Sequence, residues 1–177
     1  MSVPKSKRKA SAFEVFHHLY TIRREITNLA LRDFGYSAEL AKKHLLKMFG
    51  GKELTELTEE ELKRYNDIKA RNEAFSSWFI LDERKYVIMC LRAIVREVFT
   101  ANSIYPTIPE ELATRRVCQD KALGLCIDLM QELQYIMETL PVDVNKHIRF
   151  ADMIQHEIAL IKGWRKSDNK FRSALDK

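Results

Sequence analysis

The sequence predicts an all-α fold: an up-down four-helix bundle with a helical insertion between the first two core helices. Three observations carry this. The chain holds only five Gly and four Pro among 177 residues, leaving little room for loops. Four long stretches place apolar residues at spacings of three and four, the helical period. The connections between most of them are short, as antiparallel neighbours require. No segment alternates convincingly with period two, and there is no internal repeat or low-complexity tract.

The central stretch is Trp78 to Phe99, WFILDERKYVIMCLRAIVREVF. Val87, Leu91, Ile94 and Val98 recur at four, three and four, with Lys85, Arg92 and Arg96 on a narrow opposite stripe. Ile88, Val95 and Phe99 widen the apolar arc, so this helix is expected to be the central stave, covered on several sides. Val, Ile and Phe also favour strands. Length and period decide for helix.

In chain order, residues 1–10 form a basic arm. Ser11 with Glu14 reads as a capping box that opens a helix running to about Asp33. Phe16, Leu19, Ile26 and Leu29 make its core face, with Phe13, Ile22 and Ala30 beside them, and Gly35 is its terminator. Residues 35–76 have the weakest core pattern and read as the insertion. Within it, Ser37 caps a short helix carrying Leu40, Leu45 and Met48, and Gly50-Gly51 ends that helix. Thr58 and Glu61 cap a polar helix through about Phe75, and Ser76-Ser77 is expected to break or kink the path into the central helix.

Thr107 with Glu110 predicts the next cap, with Pro109 in the first turn. That helix runs to about Thr139 on Leu112, Val117, Leu123, Cys126, Ile127, Met130, Leu133 and Met137, and Leu140-Pro141 stops it. Asp143 is expected to cap the last helix, whose core face reads Val144, Ile148, Ala151, Ile154, Ile158 and Ile161. The bundle domain thus spans 11–166, followed by a basic tail over 167–177.

Net charge is +5, unevenly placed. Residues 1–11 hold four Lys/Arg and no acid; residues 162–177 hold six against Asp168 and Asp176; the remainder is slightly acidic. Basic ends on a near-neutral body are an electrostatic footprint for a polyanion. Lys5, Lys7, Arg8 and Lys9 in the arm are the candidate phosphate contacts, joined by Arg165, Lys166, Lys170 and Arg172 in the tail. Arg23-Arg24 and Arg115-Arg116 add charge to helix surfaces. Trp164 has two readings: stacking on an unpaired base, or anchoring the tail by continuing the core face. With Lys85, Arg92 and Arg96 it forms the candidate partner-binding set.

Enzyme chemistry finds no foothold. There is no GxSxG, HExxH, Walker loop or Rossmann glycine pattern. A di-iron bundle needs two Glu-x-x-His motifs; Glu14-Val15-Phe16-His17 supplies one, and His156 sits in a different pattern. No metal, no cofactor and no catalytic residue are therefore expected. Cys90, Cys118 and Cys126 lie in apolar helical patterns with no CxxC, as free thiols do in a reducing cytosol. No apolar run approaches a membrane span and no secretory signal opens the chain, so a cytoplasmic location is expected.

Four stretches carry a resemblance: SVPKSKR at 2–8, ANSIYP at 101–106, LPVDVNK at 140–146 and GWRKSDN at 163–169. Together they resemble the accessory variability determinants of diversity-generating retroelements, small bacterial and phage proteins encoded beside reverse transcriptases. Wider relatives of that family include four-helix-bundle proteins encoded within ribosomal RNA intervening sequences. The likeness spans most of the chain except 35–76. It implies a basic bundle assembled as a ring-like pentamer. It also implies binding to the reverse transcriptase and template RNA, in support of mutagenic complementary-DNA synthesis with no active site of its own. The alternative expectation is a protein–protein scaffold that oligomerises or docks a partner without nucleic acid.

Overall fold

The computed structural model describes residues 12–175, with side chains from Glu14 to Arg172. Six helices follow in order: α1 (Ala12–Leu31), α2 (Ala38–Lys47), α3 (Glu59–Ser103), α4 (Pro109–Thr139), α5 (Asn145–Ser167) and α6 (Asn169–Leu175). Short 3-10 turns occupy Asp33–Gly35 and Leu54–Glu56. The fold is all-helical: among the described residues there is no strand, only an isolated antiparallel bridge between Tyr36 and Val142. No described helix is long and apolar enough to cross a membrane.

α3 packs most extensively on α4, α4 on α5, α5 on α1, and α1 back on α3. One core fills the space between them. Its seams follow heptad-like spacings of three and four. α1 contributes Val15, Leu19, Ile22 and Ile26; α3 contributes Val87, Leu91, Ile94 and Val98. α4 presents Ala122, Cys126, Leu129, Leu133 and Ile136, and α5 presents Phe150, Ile154, Ile161 and Trp164.

Several local expectations are met. Ser37 Oγ accepts from Leu40 N–H at 3.2 Å, and Thr58 with Glu61 forms a reciprocal capping box. α1 ends in a left-handed turn in which Asp33, Phe34 and Gly35 all have φ between 52° and 77°. A bulky residue pays strain there. Phe34 is held in place because its ring is fully buried and its carbonyl accepts from His147 Nε2 at 2.9 Å.

Other expectations need correction. Ser76-Ser77 does not break the chain: α3 is one helix of 45 residues, about 67 Å long. Serine disfavours a helix interior by only a few tenths of a kcal/mol. The stacked rings of Phe75 and Phe79, 5.6 Å apart, span the junction and outweigh that. The polar segment from Glu59 is thus the first part of α3 rather than a separate helix, and much of it is exposed. Nor is α3 covered all round, because Tyr86, Met89 and Phe99 face outward.

Two core faces are also rotated from their expected positions. On α4 the buried line is Leu112, Arg115, Gln119, Ala122, Cys126, Leu129, Leu133 and Ile136, while Val117 and Ile127 are exposed. On α5 His147, Phe150, Ile154, Glu157, Ile161 and Trp164 point inward, while Val144 and Ile148 are exposed. The caps shift by one residue as well. Ile108 is the N-cap of α4, and Thr107 donates its N–H and Oγ1–H to Glu111, not Glu110. Val144 caps α5, and Asp143 Oδ1 accepts from Asn145 N–H.

Candidate polyanion interface

The site is built where α4 meets the α5–α6 junction. Arg115 is its keystone, buried at 7 % exposure. Its Nε donates to Asp168 Oδ2 at 2.6 Å and its Nη2 to Asp168 Oδ1 at 3.1 Å. Its Nη1 donates to the carbonyls of Ala101 and Ile104, which close α3. Gln119 Nε2 donates to the same Asp168 oxygen at 2.8 Å. The guanidinium also lies 4.9 Å from the Trp164 ring centroid. One side chain therefore ties the ends of α3 and α5 to α4, a bidentate clamp that arginine's fork suits and lysine's ammonium does not.

The clamp fixes the outward residues next to it. Arg116, Lys162, Arg165, Lys166, Leu123 and Asn169 line a shallow cleft of about 410 Å³. Among the described residues no carboxylate lines it. Arg116 Nη2 donates to Asn169 Oδ1 at 2.7 Å, a neutral partner, and Arg116 has no ion pair among the described residues. Arg165 is different: it grips Asp120 through Nη2 and Nε at 2.9 and 2.8 Å. Three cations with no acidic partner among the described residues, Arg116, Lys162 and Lys166, thus share one depression, which gives a phosphate a place to shed its counterions.

The sequence-predicted residues distribute unevenly. Arg165 and Lys166 meet in the cleft, with Arg116 and Lys162 beside them. Arg165 is part-neutralised by Asp120, so it is not the free cation expected. Lys170 and Arg172 continue on α6, where Lys170 Nζ sits 4.9 Å from the Phe171 ring and Tyr105 packs edge-on to that ring. Arg23 and Arg24 lie on α1 and do not line the cleft; Arg24 pairs with Glu25. Lys5, Lys7, Arg8 and Lys9 lie outside the described residues. Trp164 is 2 % exposed, so it anchors the tail and offers no face to a partner or a base. Lys85, Arg92 and Arg96 stand exposed along α3, Arg96 beside Glu97.

The core also holds two titratable sites that the sequence did not disclose. Glu157, on α5, is fully buried, and burial pushes its carboxyl up to about 8. Its Oε2 lies 2.8 Å from His18 Nδ1, while Oε1 has no partner among the described residues. Burial lowers the His18 imidazole, as does the neighbouring His156 ring, against a smaller upward pull from Glu14. When protonated the carboxyl donates to His18 Nδ1; when ionised it accepts from the Nδ1–H tautomer. Glu83, on α3, is pushed up to about 7 by burial and then by Glu132 and Asp82. Burial likewise raises the three thiols, Cys90 to about 11, so at neutral pH they remain protonated. Among the described residues no group of three or more His, Cys, Asp or Glu side chains is disposed to hold a metal ion. The chain matches no family model, no curated protein and no solved structure.

Proposed function

We propose that the chain is a non-catalytic accessory subunit that binds a reverse transcriptase and its template RNA. In this reading it supports mutagenic complementary-DNA synthesis in a diversity-generating retroelement, in the cytoplasm and without a cofactor. The architecture that goes with it is an up-down four-helix bundle of α1, α3, α4 and α5, with α2 and the start of α3 as the added segment. The observation that supports the reading best is the cationic cleft of Arg116, Lys162 and Lys166, held open by the Arg115–Asp168 clamp. The family resemblance supplies the partner.

The test is binding of single-stranded RNA by the full chain across a salt series. Affinity falls steeply with salt, since each phosphate contact contributes about 0.7 to the logarithmic slope. Reversing Arg116, Lys162 and Lys166 to Glu makes that slope shallower by about 2. RNA affinity absent at every salt concentration, or untouched by the reversals, overturns the cleft's role. Failure of a reverse transcriptase to co-purify removes the named partner.

The second reading, a protein–protein scaffold, draws on a different surface: the outward face of α3.

A further inference from the structure

α3 and α4 run antiparallel, and the seam between them is laid out in rungs. The Cys90 thiol donates to the Leu125 carbonyl at 3.4 Å. Glu83 lies against Glu132, and the Phe79 and Tyr135 rings meet edge-on at 5.4 Å. These rungs keep one register, which sets Tyr86 beside Asp128 and Ser76 beside Thr139.

The seam is acidic. Asp82, Glu83, Asp128 and Glu132 cluster about Tyr86. Among the described residues none of the four is in an ion pair. The cations nearest in sequence are turned away or distant. Arg84 is held by the Ala30 carbonyl and Asp33, and Lys85 stands about 200° round the helix from Glu83. On α4 the nearest is Lys121, about 10 Å along the helix from Asp128. Glu83 is 8 % exposed, and its Oε2 has no hydrogen-bond partner among the described residues. Burial, then Glu132 and Asp82, push its carboxyl up to about 7. Packing alone is served better by an apolar side chain at such a position.

Two tyrosines bracket the acids. Tyr86 follows Glu83 by one turn and Tyr135 follows Glu132, so the antiparallel helices put them at opposite ends of that rung. Both are about half exposed, and a side-chain cation can lie over such rings. Beyond the Phe79–Tyr135 rung the seam opens into a cavity of about 610 Å³, walled by Leu45, Met48, Phe75, Met137 and Leu140. From Glu83 to Ser76 is about 10 Å, the length of three residues of extended chain.

We infer that this seam receives a lysine- or arginine-rich segment of a partner protein. Its cations sit on the four acids, and a large apolar side chain about three residues away fills the cavity. Charge complementarity selects the occupant. Four carboxyl groups repel a phosphate backbone, so the occupant is not RNA. No three of these side chains are disposed to hold a metal ion. The chain as a whole carries +5, so a cationic peptide needs a local acidic patch to bind it. This surface is opposite in sign to the Arg116–Lys162–Lys166 cleft and does not depend on it.

Fluorescence anisotropy on the full chain, without nucleic acid, tests this. The probe is a labelled peptide of four lysines, two alanines and a leucine, made in both directions. One direction is expected to bind in the micromolar range. Asp128→Asn with Glu132→Gln weakens it about tenfold. Tyr86→Ser weakens it about threefold, and alanine in place of the peptide's leucine about tenfold. Glu60→Gln with Asp67→Asn removes the same charge from an exposed part of α3 outside the seam, and is expected to change binding by less than about twofold. None of the substituted positions is fully buried, so circular dichroism is expected to show helicity unchanged. No binding in either direction overturns the inference, as do equal losses from the two neutralised pairs. Self-association of the unaltered chain that Asp128→Asn with Glu132→Gln abolishes also overturns it, because the occupant is then a second copy.

Discussion

Arg115–Asp168 and His18–Glu157 are both carboxyl groups buried against a nitrogen base, and the fold treats them in opposite ways. Asp168 takes two hydrogen bonds from Arg115 and one from Gln119, and Arg115 spends its remaining reach on two helix-end carbonyls. Glu157 has a single bond to His18 and an oxygen with no partner among the described residues. Arginine does not lose its proton, so burying it demands a full set of acceptors. Glutamate has another way out: it takes up a proton, and its carboxyl rises to about 8. The first site is a clamp that holds helix ends together. The second is a neutral core residue at ordinary pH and a liability above it.

The largest effect expected from this contrast comes from breaking the clamp on one side only. Asp168→Ala strands the Arg115 charge at 7 % exposure and is expected to cost about 3–5 kcal/mol in chemical denaturation. Replacing both partners, Arg115→Met with Asp168→Leu, is expected to recover most of that loss, because no orphan charge remains. If the double replacement proves as damaging as the single, the clamp acts through its carbonyl bonds at Ala101 and Ile104 instead.

How much of this could be read from the chain alone follows from the same residues. Element types were legible wherever capping and punctuation were strong: Ser37, Thr58 with Glu61, and Leu140-Pro141 sit at or next to helix ends in the structure. Most of the α1 face was legible because its seam is apolar: Leu19, Ile22, Ile26 and Ala30 are buried as expected, whereas Phe16 and Leu29 are half-buried and Val15 takes their place. The faces of α4 and α5 were not, because their seams contain Arg115, Gln119, His147, Glu157 and Asp168. A hydropathy reading skips those positions and settles on Val117, Ile127, Val144 and Ile148 instead. The spacing itself held the answer: 112, 115, 119, 122, 126, 129, 133 and 136 alternate three and four without a break. The cleft was largely legible on one side. Arg165 and Lys166 stood out as charge and Lys162 shares their face at i+3 and i+4, but Arg116, on α4, joins them only through packing that no local pattern encodes.

Glu157→Gln sharpens the comparison from the other side, with a smaller expected effect. An ordinary glutamate loses its proton near pH 4.3, whereas Glu157 holds it to about 8. Folded protein therefore binds more protons between those limits, and stability present in full at acid pH is lost as pH rises towards 8. We expect a loss of about 2 kcal/mol between pH 5 and pH 8, less than the whole shift implies, because His18 is placed to share the proton. The Gln variant still donates to His18 and cannot ionise. Its stability is expected to be flat over that range in denaturation curves at several pH values, and above that of the unaltered chain at pH 8. An unchanged slope would mean that Glu157 does not carry it.

Glu83 offers the mildest version of the same behaviour. It is 8 % exposed beside the half-buried Glu132, and its carboxyl is raised only to about 7. Burial raises it first; the contact and charge of Glu132 raise it further, and Asp82 adds to them. Its folded value again exceeds the unfolded one, so the stability it lends is intact at acid pH and is lost as pH rises through 7. Glu83→Gln is expected to remove roughly 1 kcal/mol of that loss at pH 8, while Glu83→Leu is expected to do less. The two variants separate the causes. Both abolish the buried charge, but only Gln keeps a donor for Glu132. A Leu variant that matches Gln at pH 8 would assign the whole effect to desolvation and leave the Glu132 contact with no part in it.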